Sequence, residues 1–185
     1  LSQNTNDTNS WHAYEELRRR FPTWQAVLEA DTGQVAEAIR VGGLGNIKAP
    51  RIQAILRQLL AERGELSLGF LGDLPLAEAR AYLLSLKGVG PKTAACVLLF
   101  SLHCAALPVD THVHRLAIRL GLVPPNASAE KAHALLEDLV PPADYYPFHL
   151  LMIQHGRECC HARRPACSSC PLGALCPSRE AVFQA

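Results

Sequence analysis

Apolar residues recur along this chain at intervals of three and four rather than two, and β-branched residues are scarce beside Ala and Leu. That pattern predicts helices almost throughout, an all-α protein. Trp11, Tyr14, Leu17 and Phe21 fall on one face of a first helix. Trp24–Ala30 and Gly33–Arg40 read as two short helices parted by Asp31-Thr32-Gly33, and Gly42-Gly43-Leu44-Gly45 then breaks the chain. From Ile47 to Arg63 the residues Ile52, Ile55, Leu56, Leu59 and Leu60 form an apolar stripe opposite Arg51, Arg57 and Arg63, the mark of a helix with one packed and one solvated face. Leu76–Leu86 is a further helix, and Pro91, a favoured first helical residue, opens the next only a few residues later. Thr93–Val109 carries no formal charge over 17 residues, short of the roughly 20 needed to span a bilayer, so it is expected to be a buried helix. Asp110 enters a helix running to Leu120, Ser128 can cap Ala129–Leu139, and Pro147 can open a last helix ending near His155-Gly156.

Composition narrows this picture modestly. A chain of 185 residues fits one or two domains, and 49% hydrophobic with 19% charged residues excludes disorder as the main state. The net charge of +1 leaves a nucleic-acid partner open, because a local basic face can hold phosphate on a neutral protein. No secretory signal or membrane span is expected, and the start at Leu1 suggests missing upstream residues. The cysteines change the picture more. There are seven, and four crowd into Cys160–Cys176; a disulfide framework would spread them, so an intracellular metal or cluster site is the better reading.

Three groups of residues could carry chemistry. Leu86-Lys87-Gly88-Val89-Gly90-Pro91-Lys92-Thr93 lies between two helical patterns. Gly88 and Gly90 free the backbone to approach a ligand, and amides opening the second helix favour an anion such as phosphate. A plain tight turn would use similar residues. Lys92, however, sits in the first turn, where the helix dipole disfavours a cation; beside the apolar run it should lose its proton more readily and could attack an electrophilic carbon. A surface lysine beside phosphate would account for it too. Asp110, within Val109-Asp110-Thr111-His112, can cap its helix, and a carboxylate so fixed can also stabilise developing positive charge. Finally, Cys160-x6-Cys167-x2-Cys170-x5-Cys176 offers four thiolates for zinc or an iron–sulfur cluster. Cys159 stands in poorer register, His103, His155 and His161 are spare ligands, and Cys96 and Cys104 read as core. Arg157, Arg163 and Arg164 give the loop a basic surface.

In this order the three groups resemble the endonuclease III family of DNA base-excision glycosylases, the helix-hairpin-helix enzymes with an iron–sulfur cluster. The likeness runs from Leu1–Asp7 through Gly43–Ala49, Leu86–Thr93, Val109–His112 and His155-Gly156-Arg157 to the four-cysteine loop, nearly the whole chain. It implies a six-helix domain over 1–104 bearing the hairpin and a smaller helical cluster domain over 105–185, whose N-terminal helices would precede Leu1. It also implies a [4Fe-4S] cluster on Cys160, Cys167, Cys170 and Cys176. By the same resemblance Lys92 is the nucleophile that attacks C1′ of a damaged nucleotide and Asp110 the catalytic aspartate. Asn4 and Leu44 are wedges filling the gap left by an extruded nucleotide; Gly88, Val89 and Gly90 hold backbone phosphate, and Arg163 and Arg164 add basic contacts. The implied activity is a bifunctional glycosylase and abasic-site lyase removing oxidised pyrimidines from duplex DNA, monomeric and intracellular. The competing expectations are a monofunctional glycosylase for mismatched adenine, uracil or thymine, and a non-catalytic DNA-binding or redox-sensing module.

Overall fold

In the computed structural model residues 1–3 and 5–179 are described, so the expected wedge Asn4 lies outside the described residues. Every regular element among them is a helix or helical turn, as the apolar spacing predicts. No described helix is long and apolar enough to cross a membrane. The chain forms two compact units, one of Leu1–Asp73 with Ser85–Gly88, the other of Leu74–Leu84 with Val89–Ala185. This division differs from the boundary between residues 104 and 105 implied by the resemblance.

The first unit holds α1 (Asp7–Arg20), α2 (Trp24–Glu29), α3 (Thr32–Ala38) and α4 (Gly45–Arg63). Asn6, Thr23 and Asp31 each accept a backbone N–H at the head of α1, α2 and α3, satisfying donors a helix start leaves open. Ala13, Leu17, Val27, Val35, Ile39 and Leu56 form the core. The expected face of α1 is corrected here: Leu17 is buried with Ala13, while Trp11 and Tyr14 are 59% and 39% exposed. The α4 stripe is likewise narrower, with Leu56 and Leu59 inside and Leu60 exposed. A polar side chain takes up part of that interface. Gln53 is buried, donates to Val27 O at 3.0 Å and Ala30 O at 2.8 Å, and accepts from Thr32 Oγ1 at 2.6 Å. It thereby ties α2, α3 and α4 with its amide fully used.

The second unit contains α5 (Leu76–Ser85), whose last residue is assigned to the first unit, α6 (Pro91–Cys96), α7 (Thr111–Arg119), α8 (Ala129–Leu139) and α9 (Tyr145–Glu158). Leu107, Val113, Leu116, Ala132, Leu136 and Met152 are among its core residues. The expectation of one buried helix through Val109 is overturned: α6 passes into a π-turn over Val97–Ser101, and the chain then leaves the helix. His103 takes the left-handed conformation at φ 53°, which a continuing right-handed helix excludes. Ala106–Val109 nonetheless stays buried, and its polar backbone finds side-chain partners. Leu107 N donates to Glu137 Oε1 at 2.9 Å, Leu107 O pairs with His133 Nδ1 at 3.0 Å, and Pro108 O with His149 Nδ1 at 2.8 Å. Arg80 holds Glu137 through two hydrogen bonds, at 2.7 and 2.9 Å. The segment leading into Asp110 is therefore a pinned, non-helical strap.

Candidate active site and cysteine cavity

The link between α5 and α6 has the tight geometry its glycines suggest. Gly88 adopts φ 88°, a backbone sign that selects glycine; the Arg51 side chain lies against the position where a Cβ would stand. Gln3 Nε2 donates to Gly88 O at 3.2 Å. Gly90 is extended and gives α6 no side-chain cap; Pro91 follows as the first helical residue. Val89 and Gly90 are half-buried, and so is Lys92 in the first turn.

Lys92 is brought to the same neighbourhood as Asp110. Asp110 caps α7, its Oδ1 accepting Val113 N at 2.8 Å. Two further groups register both residues. Burial pushes the Cys96 thiol above its ordinary value; Lys92, hydrogen-bonded to it, pulls it back, while Asp110 acts in the same sense as burial. Burial also pushes His149 below the ordinary histidine range, against opposing contributions from its bond to Pro108 O and from Asp110, with Lys92 adding to the depression. His149 is 3% exposed. Its Nδ1 must carry the proton that Pro108 O accepts, and in the neutral ring Nε2 keeps its lone pair. A lysine, an aspartate, a thiol and an imidazole thus share one region. Cys96 and His149 were not singled out from sequence as site residues. Cys96 stands one helical turn after Lys92, a spacing that puts the two on one face; no sequence signal placed His149.

Leu44 is presented differently. It precedes α4 in the left-handed region at φ 56° and is 45% exposed, a conformation uncommon for a non-glycine residue. The turn behind it is fastened by Lys48, a buried lysine whose Nζ donates to Gly42 O and Leu1 O, both at 2.7 Å. Burial depresses the basicity of that amine. Arg163 and Arg164 are exposed in the cysteine loop, Arg164 with φ 50°.

Cys160, Cys167, Cys170 and Cys176 line one cavity, walled by apolar groups including Leu116, Leu120 and Pro165. Four thiols converging on a largely apolar cavity are the donor chemistry of a thiolate-bound centre. The first cysteine is firmly seated. Arg115 Nη2 donates to Cys160 O at 2.9 Å and to Gly156 O at 3.0 Å; Arg119 Nη1 reaches Cys160 Sγ at 3.2 Å and His161 O at 2.7 Å. Cys176 Sγ lies 3.5 Å from Arg119 O. The cavity also receives two groups expected only as spares. Cys170 Sγ is 3.5 Å from His155 Nε2, and Cys159 also lines the wall. Burial and the neighbouring Cys170, Cys160 and Cys167 thiols push Cys159 up to about 11.

Comparison with known proteins places this arrangement. Residues 1–142 match the profile described as HhH-GPD superfamily base excision DNA repair protein. The Arabidopsis thaliana protein At3g47830 is 41% identical over 164 residues, 89% of this chain and 56% of the relative. DNA glycosylase/AP lyase ROS1 of Arabidopsis thaliana is 35% identical over 91% of this chain but only 14% of its own length. The chain therefore spans about half of the first relative and a small part of the second. Endonuclease III of Sulfolobus acidocaldarius is 31% identical over 95% of this chain and 77% of the relative. A solved non-covalent endonuclease III–DNA complex aligns at TM-score 0.85 and 29% identity, covering 100% of this chain and 82% of that one. By the profile over residues 1–142 and the likeness to this endonuclease III, the protein belongs to the endonuclease III family of the helix-hairpin-helix base excision DNA repair superfamily.

Proposed function

We propose that this protein is a bifunctional DNA glycosylase and abasic-site lyase, acting as a monomer on duplex DNA and removing an oxidised pyrimidine. The observation that carries the reading is the shared neighbourhood of Lys92 and Asp110, each acting on Cys96 and His149. In this reading the extruded nucleotide presents C1′ to Lys92 Nζ. The neutral amine forms the C–N bond as the glycosidic bond breaks, and the proton the nitrogen then sheds goes to the departing base, with Asp110 stabilising the positive charge that develops on the sugar. Opening of the sugar gives a protonated imine between Lys92 and C1′. That imine acidifies the C2′ proton, and its removal expels the 3′ phosphate by β-elimination. Extrusion itself costs a few kcal/mol, least where pairing or stacking is already weak. Leu44, exposed and apolar on a fastened turn, supports the role of wedge; Gly88, Val89 and Gly90 would take the backbone phosphate, and Arg163 and Arg164 would add salt-dependent contacts.

Cys160, Cys167, Cys170 and Cys176 would hold a [4Fe-4S] cluster, which when bound supplies a rigid cross-link of the C-terminal loop. Arg119, donating to Cys160 Sγ, would offset thiolate charge there.

The test is borohydride trapping on duplexes carrying thymine glycol, dihydrouracil, mismatched uracil, adenine opposite oxidised guanine, or an abasic site. Wild type should yield a covalent adduct on the oxidised pyrimidine and the abasic duplex, and Lys92→Gln none. Base release without any adduct would instead establish the monofunctional glycosylase, and binding without either would leave a DNA-binding module.

A further inference from the structure

Cys159 lines the cysteine cavity but falls outside the four-cysteine spacing. It closes α9, its N–H donating to His155 O at 3.0 Å, so the two residues stand one helical turn apart, where side chains meet. Cys170 approaches from the loop. His155 Nε2 and Cys170 Sγ are 3.5 Å apart, and the ligand atoms of His155, Cys159 and Cys170 all lie within 4.8 Å of one another. A tetrahedral zinc ion, with Zn–S of about 2.3 Å and Zn–N of about 2.0–2.1 Å, separates its donors by about 3.5–3.8 Å. An iron–sulfur cluster instead spreads its thiolates over the corners of a cube. Two thiolates and an imidazole also suit zinc by softness.

We propose that the cysteine cavity has a second, mononuclear metal state, a zinc ion held by His155, Cys159 and Cys170 with water as fourth ligand. Zinc binding releases the protons of the two thiols and involves no change of oxidation state. Because Cys170 would serve both centres, zinc and a cluster exclude one another; this exclusion rests on the cluster reading above, whereas the zinc site does not. The zinc state ties the end of α9 to the loop in protein that has not received iron.

The full-length chain is produced in iron-depleted, zinc-supplemented medium, and separately in iron-replete medium. Zinc and iron per chain are measured by emission spectrometry, and zinc retention is titrated with a chelator. Wild type from iron-poor medium should hold one zinc per chain. Cys159→Ala should lower retention at least tenfold and Cys159→His, which replaces the donor, should restore it; a folding failure would affect both. Cys160→Ala and Cys176→Ala should keep zinc. In iron-replete protein Cys159→Ala should keep its visible iron–sulfur absorbance and Cys160→Ala should lose it. Failure of that last pair would overturn the cluster reading alone. A wild type that holds no zinc, or zinc unaffected by Cys159→Ala and abolished by Cys160→Ala and Cys176→Ala, would overturn the mononuclear site.

Discussion

Replacing Gly156 by alanine sets two opposing effects against each other inside α9. Alanine is favoured over glycine in a helix interior by roughly 0.8–1.0 kcal/mol, so propensity alone predicts a gain. The surroundings predict a loss. A Cβ at this position would stand 2.7 Å from His112 Nδ1, 3.0 Å from His112 Cβ and 3.1 Å from Arg115 Nη2. The contact with His112 Cβ cannot be relieved by swinging a flexible tip, so α7 and α9 must separate. Overpacking of this kind costs about 1–3 kcal/mol. Arg115 Nη2 also donates to Gly156 O and Cys160 O, and a displaced guanidinium puts at risk bonds worth about 1.5–3 kcal/mol each. The sum favours a net loss of about 1–3 kcal/mol, or from about fivefold to over about a hundredfold in the unfolding constant. Urea unfolding followed by far-ultraviolet circular dichroism measures it directly, with Gly72→Ala as control, since a Cβ there meets no atom within 4 Å. A Gly156→Ala protein as stable as wild type, or more so, would refute the claim that this glycine sets the approach of the two helices.

Stability should fall on acidification because of buried histidines. His133 and His149 are both held below the ordinary histidine value of 6.5, chiefly by burial; the unfolded chain then binds protons the native state refuses, so their contribution is complete above pH 6.5 and is lost below it. Urea midpoints at about pH 7.5 and about pH 5.5 should show the drop, and His133→Gln should flatten it; an unchanged midpoint would contradict the assignment. Lys48→Met removes one buried and one half-buried donor bond and leaves Gly42 O without its partner, at a cost of about 1.5–3 kcal/mol. Thermal unfolding reads the cost, and proteolysis at the Leu44 turn should quicken; unaltered cleavage would show the turn to be held by other means.

Much of the fold was legible because capping residues and helical spacing agree. Asp110 and Ser128 mark helix starts that the structure keeps. The departures have local physical causes. Thr93–Val109 is apolar from end to end, and an uncharged buried strap has the same composition as a buried helix; its hydrogen bonds go to Glu137, His133 and His149, residues far along the chain that no local pattern connects. Trp11 and Tyr14 share a face by spacing, yet α1 is packed by Ala13 and Leu17, a choice made by its neighbours. At the candidate site, Lys92 and Asp110 stood out as a cation in a disfavoured turn and an acid at a helix entry. His149 did not, since a histidine in an apolar run is indistinguishable from a core residue until the carbonyl it holds is known.

The double grip on Cys160 gives the C-terminal loop a direction. Arg115 and Arg119 clamp residues 160–162 to α7 through carbonyls, without recourse to any metal. Among the described residues the far end is held by the 3.5 Å approach of Cys176 Sγ to Arg119 O and by short local turns. Without a bound centre such a loop should unzip from Cys176 backwards, with amide exchange spreading from that end while the residues beside α9 still resist it.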